Sequence, residues 1–88
     1  MTVYVDNMRA QYGRMIMCHM FSDDIAELHS MALNIGVNRK WFQNKSYYSH
    51  YDICLSKRKI AIELGAVECT TRDWVLMVRK QAAPAAER

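Results

Sequence analysis

The chain has 88 residues and a mass of 10.3 kDa, with 51% hydrophobic and 24% charged residues, three Gly, one Pro and a net charge of +3. That length holds one domain of the usual roughly 50 to 250 residues, and the composition excludes collagen-like, low-complexity and wholly disordered classes. No Walker loop, glycine fingerprint, nucleophile elbow or zinc-finger spacing occurs, so the chemistries those motifs mark have no support here.

Thr2 to Val5 is short, β-branched and aromatic and predicts a strand that Asp6 and Asn7 end. Arg14 to Phe21 is rich in Met without polar alternation, which predicts a buried second strand. The period then changes. Asp23 or Asp24 can cap a helix, Glu27 follows Asp24 by three, and Ile25, Leu28, Ala32 and Ile35 share a face with Met31 beside them, until Gly36 supplies the stop. Val37 to Ser49 reads as a loop with partial order, and the role of the 43–49 segment is not legible.

Tyr51 to Leu55 has the make-up of a buried strand, Ser56 can cap a short helix through Leu64, Gly65 can end it, and Ala66 to Thr70 forms a second strand. If the two share a sheet, they run parallel in a βαβ unit. Thr70 with Asp73 resembles a capping box opening a last helix to about Lys80, with Trp74, Val75 and Val78 inward. The fold expected is a compact α/β domain over 1–80 with a frayed tail over 81–88, a mixed sheet of three to four strands with one parallel βαβ pair, and two to three helices. Surface scaling buries roughly 64% of the extended chain's area, a modest core that a homodimer would enlarge.

The charge is uneven. Through Asn44 four basic residues balance four acids, whereas from Lys45 to Lys80 seven basic residues face four acids, so that half is where a polyanion would be drawn. Cys18, Cys54 and Cys69 are odd in number and lie among apolar neighbours, as buried free thiols in a reducing compartment do. The first residues do not form a signal peptide and no apolar run approaches 18 residues, which predicts a soluble cytoplasmic protein without a membrane partner.

The densest chemistry lies in His50-Tyr51-Asp52-Ile53-Cys54-Leu55-Ser56-Lys57-Arg58-Lys59. A helix opening at Ser56 would set three cations where the macrodipole is already positive, a conflict that a bound anion relieves. Its free amides, the Ser56 hydroxyl and Lys57 or Arg58 would make a phosphate cradle, unless the cations simply project into water or pair with Asp52 and Glu63. His50 and Asp52 alternate on a strand and share a face, a pair able to orient an imidazole as acid or base or to be purely structural. Trp41, Phe42, Tyr47, Tyr48 and Tyr51 lie among Arg39, Lys40 and Lys45, as rings that stack on a base lie among cations, or as core and rim aromatics. His19 and Asp23 are four apart and on one helix could hold a metal, with His29 ten residues beyond His19, but His19 falls on a strand before the helix begins, so satisfied or exposed histidines are expected; no metal ligand or cofactor is assigned, and whether a metal takes part is not legible.

Tyr4-Val5-Asp6, Cys18-His19-Met20, Trp41-Phe42-Gln43, His50-Tyr51-Asp52-Ile53 with Ser56-Lys57-Arg58, and Gly65-Ala66-Val67-Glu68 together resemble a small domain-of-unknown-function family (DUF4031-like) of bacteria and phages, over about residues 2 to 70. The resemblance implies a cytoplasmic, phage-encoded or bacterial protein and no particular reaction. Three functions follow from the residues. One is a binding protein for a nucleotide or other phosphate-bearing ligand, held by Ser56, Lys57, Arg58, His50, Trp41 and Tyr51, which in a phage could sequester a host signalling nucleotide. A second is a small phosphoester hydrolase or transferase using His50 and Asp52 as catalytic residues. The third is an inhibitor that lays its basic half on an acidic protein or nucleic acid.

Overall fold

The computed structural model describes residues 2–44 and 49–77; Lys45, Tyr47, Tyr48, Val78 and the expected tail 81–88 lie outside them. Strand β1, Val3–Val5, pairs antiparallel with β3, Met15–Ser22, in the register Val3↔Ser22 to Val5↔Met20. On the same edge of β3 lies β2, Ala10–Tyr12, whose turn into β3 uses Gly13 at a φ of 60°. The register changes between them: Val5 faces Met20 but Ala10 faces Met17, so residues 6–9 stand opposite only Cys18 and His19. This is a bulge, and it re-aims the first residue it contains, Asp6.

Helix α1, Ile25–Asn34, starts as its capping residues predict, with the Asp24 carboxylate accepting from the amides of Ala26 and Glu27. Leu28, Ala32 and Ile35 are buried, whereas Ile25, at the first helical position, stays exposed. Gly36, at a φ of 82°, ends the segment. The expected loop after it contains a 3₁₀ turn, Arg39–Trp41, and a two-residue strand β4, Phe42–Gln43. Strand β5, His50–Cys54, runs straight into α2, Leu55–Glu63, and β6, Val67–Glu68, follows.

The sheet order is β4-β5-β3-β1-β6, with β2 beside β3, so the described residues hold six strands rather than three to four. The additional strands, β2 and β4, span three and two residues, too short to show a period of their own. Strand β6 is parallel to β1, and β5 and β1 are both antiparallel to β3, so β5 and β6 are parallel and α2 crosses over two strands. Thr70 and Asp73 exchange reciprocal bonds of 3.0 Å from backbone N–H to side-chain oxygen and open a last helix, α3, described over 71–77. Trp74 turns inward but Val75 is exposed, a correction to the expected inward stripe.

Alternation sorts the sheet's two faces. Val3, Val5, Cys18, Met20, Tyr51 and Ile53 are buried with Leu28, Ala32 and Ala61 of the two longer helices, where each large apolar side chain contributes about 1.5–3 kcal/mol. The other face carries Met17, His19 and Phe21 of β3 beside His50, Asp52 and Cys54 of β5, an unusual concentration of polar groups on interior strands. Helix α3 covers one end of that face through Trp74, whose ring lies 5.3 Å from that of Phe21. Among the described residues no helix is long and apolar enough to cross a membrane.

Candidate functional site

Asp6 is the hub of the polar face. It is fully buried, and its Oδ1 accepts from the His19 amide at 2.8 Å, filling the place the bulge leaves in the ladder. Oδ2 accepts from His19 Nδ1 at 2.7 Å and from the Thr71 hydroxyl at 3.3 Å, and Oδ1 also takes the Met8 amide at 3.3 Å. Burial alone would raise the Asp6 carboxyl, but the hydrogen bonds from the side chain and amide of His19, together with its charge and the Met8 amide, hold it below its ordinary value. An ionised carboxylate only accepts, so His19 Nδ1 carries the proton of this bond and Nε2 faces away from Asp6.

Nε2 faces β5. His19 and Asp52 are directly opposed in the register, and His19 Nε2 lies 3.8 Å from Asp52 Oδ1, while His50 Nε2 lies 3.4 Å from the same oxygen. Gln43, on the edge strand, donates from Nε2 to Asp52 Oδ2 at 2.7 Å. The Asp52 side chain is 40% exposed, yet its Oδ1 is closed to solvent and makes no hydrogen bond among the described residues. One donor atom each from His19, His50 and Asp52 lies within 4.8 Å of the other two. The Trp74 ring, 4.2 Å from the His19 ring and 5.1 Å from that of His50, lies against both.

A cavity of about 580 Å³ opens where β5 gives way to α2. Met8, Tyr12, Met15, Met17, Val37 and Trp41 give it an apolar wall, and Gln43, Asp52, Cys54 and Lys57 place polar groups in it. Trp41 is 57% exposed, which settles it as a rim aromatic rather than a core one. The Lys57 ammonium reaches back toward Gly36, where an added Cβ would stand 3.0 Å from Nζ.

Only some of the residues picked from the sequence meet at this cavity. Trp41, Lys57 and Asp52 line it, and His50 sits one contact behind Asp52. Helix α2 opens two residues ahead of expectation, so Cys54 is the N-cap, with no side-chain cap bond, and Ser56 lies inside the first turn. Arg58 is committed to the fold: Nε donates to the Asp6 carbonyl at 3.0 Å and a terminal nitrogen pairs with Glu68 at 3.1 Å. Tyr51 is sealed on the opposite face, its hydroxyl sharing a 2.7 Å hydrogen bond with His29 Nδ1, and burial raises its pKa. Asp6, His19 and Trp74 were missed as site residues. Asp6 read only as a strand end, although an acid directly after two buried valines and a histidine inside a Met-rich strand were signals of a polar face.

The cysteines differ in the same way. Burial pushes the Cys18 and Cys69 thiols up to about 11. Burial also opposes ionisation of Cys54, but the Ser56 hydroxyl and the amides of Lys57, Ser56 and Cys54 outweigh it and lower its pKa. Cys54 is thus the thiol of the three whose pKa is lowered, and it lies on the cavity wall.

The profile of the family described as "Protein of unknown function (DUF4031)" matches residues 3–81. The chain belongs to that family. The DUF4031 match encloses every residue of the polar cluster and of the cavity, from Asp6 to Trp74. No curated protein and no solved structure matches the chain.

Proposed function

We propose that the protein binds a small ligand with a planar apolar body and one anionic group, a nucleotide being the class that fits, in the cavity at the end of β5. The reading rests on one observation: Trp41 and Lys57, from different elements, line a single cavity of about 580 Å³. Small-molecule sites run at about 300–1,000 Å³, mostly apolar with a few polar groups that fix orientation, and in open α/β sheets they lie beyond the carboxyl ends of strands. The Trp41 ring offers a stacking surface, the Lys57 ammonium a charge for a phosphate, and Gln43 and Asp52 hydrogen-bond partners for a base or a sugar hydroxyl. Of the cradle drawn from the sequence, Lys57 is the cation that supports this reading; Arg58 is occupied elsewhere. Binding without turnover would suit sequestration of a signalling nucleotide.

A second reading, hydrolysis or transfer of a phosphoester, draws on the position of Asp52, which lines the cavity and stands 3.4 Å from His50 Nε2. One experiment addresses both. Nucleoside monophosphates and their parent nucleosides are titrated against the full chain in a Trp74→Phe background, with Trp41 fluorescence as reporter. The monophosphate should bind more tightly than the nucleoside, and Lys57→Met should remove that margin, about tenfold or more for a charge-assisted bond. Equal binding of the two, or an unchanged margin in Lys57→Met, overturns the reading. Ligand recovered intact after denaturation supports binding alone, and converted ligand supports catalysis.

A further inference from the structure

We propose that His19, His50 and Asp52 form a binding site for one divalent transition-metal ion of the zinc class, with Asp6 as the positioning residue behind it. The inference does not depend on the cavity's ligand.

Three observations carry it. The donor set is two imidazoles and one carboxylate, the composition that holds zinc with an open position for water or substrate. Its spacing fits: about 2.0–2.1 Å from a tetrahedral zinc, ligand atoms stand roughly 3.3 Å apart, and Asp52 Oδ1 lies 3.4 Å from His50 Nε2 and 3.8 Å from His19 Nε2. All three donor atoms lie within 4.8 Å of one another, and the imidazoles would turn inward on an ion. The groups that hold these donors are also in place. Fully buried Asp6 holds His19 through Nδ1 at 2.7 Å, the carboxylate–histidine arrangement that fixes the tautomer and turns Nε2 toward a metal. Gln43 occupies Asp52 Oδ2, leaving Oδ1, closed to solvent and without a hydrogen bond among the described residues, turned to the two imidazoles.

A purely structural histidine–aspartate network would be expected to satisfy that oxygen. Here it is the atom that converges with the two nitrogens. Because Asp52 also lines the cavity, an ion bound to it would stand at the cavity wall, where an anionic oxygen of a bound ligand could complete its coordination.

The test is equilibrium dialysis of the chelator-stripped full chain against zinc, with cobalt(II) absorption as the coordination probe. Wild type should bind one zinc per chain, and cobalt should give the intense visible bands of a four-coordinate site. His50→Gln and Asp52→Asn should each weaken zinc binding at least about tenfold, and Asp6→Asn, which touches no metal, by about 10–100-fold. Thermal melting of each metal-free variant accompanies the measurement, so that only variants as folded as wild type are compared. Absence of saturable zinc binding by wild type overturns the proposal. So does binding that persists in His50→Gln and Asp52→Asn but is lost when the cysteines are alkylated.

Discussion

Replacing Asp6 with Ala should be among the most costly single changes in the molecule. The carboxylate takes the His19 amide at 2.8 Å and the His19 imidazole at 2.7 Å, with weaker bonds from Met8 and Thr71 at 3.3 Å. Alanine takes this acceptor away from the His19 amide and imidazole at a position that has no solvent access of its own. A buried donor left unsatisfied costs about 1–3 kcal/mol, and hydrogen bonds to a charged group lie at the upper end of that range. The two short bonds therefore set an expected loss of about 3–5 kcal/mol, against a total stability of about 5–15 kcal/mol for an ordinary domain. Asp6→Asn keeps an acceptor for the His19 amide but loses the charged bond, and should cost about 1.5–3 kcal/mol. Urea unfolding followed by circular dichroism measures both; with a slope near 1 kcal/mol/M, the alanine midpoint should fall by about 3 M or more. A loss below about 1 kcal/mol for Asp6→Ala would refute the claim that this carboxylate holds the bulge together.

Two further outcomes follow from the titrating groups. Burial, then the nearby Arg39 charge, lowers the pKa of His29 from 6.5, so the folded state holds fewer protons there than the unfolded chain. Its contribution is full above 6.5 and declines as pH falls through the folded pKa; between about pH 7.5 and pH 5 the drop in urea midpoint should be smaller in His29→Gln than in wild type, and an equal drop counts against the assignment. Iodoacetamide should label Cys54 ahead of Cys18 and Cys69, as read by peptide mass mapping, since Cys54 is lowered and the other two are raised to about 11; earlier labelling of Cys69 would contradict the account.

What could be read from the sequence was local. Helix α1 announced itself through Asp24, its apolar stripe and Gly36, and the capping box of Thr70 and Asp73 formed as its spacing suggests. The succession β5, α2, β6 followed from a change of period bounded by Gly65, and the shared face of His50 and Asp52 from strand alternation. The pairings that assemble the polar face are non-local. Asp6 meets His19 across 13 residues, and Arg58 reaches the Asp6 carbonyl across 52, turning a cation that seemed free for an anion into a tie between α2 and the end of β1. Register decided the rest: His19 faces Asp52 because β3 and β5 pair as they do, and a slip of one residue would have sent His19 to the other face.

The most direct measurement of the central claim, that a small anionic ligand sits at the end of β5, is an amide NMR titration of the full chain with a nucleoside monophosphate. Shifts concentrated at Met8 to Tyr12, Gly36 to Trp41 and Cys54 to Lys57, the segments lining the cavity, are the predicted result. Shifts confined to the exposed side of α2 around Lys59, or none at all, would contradict it.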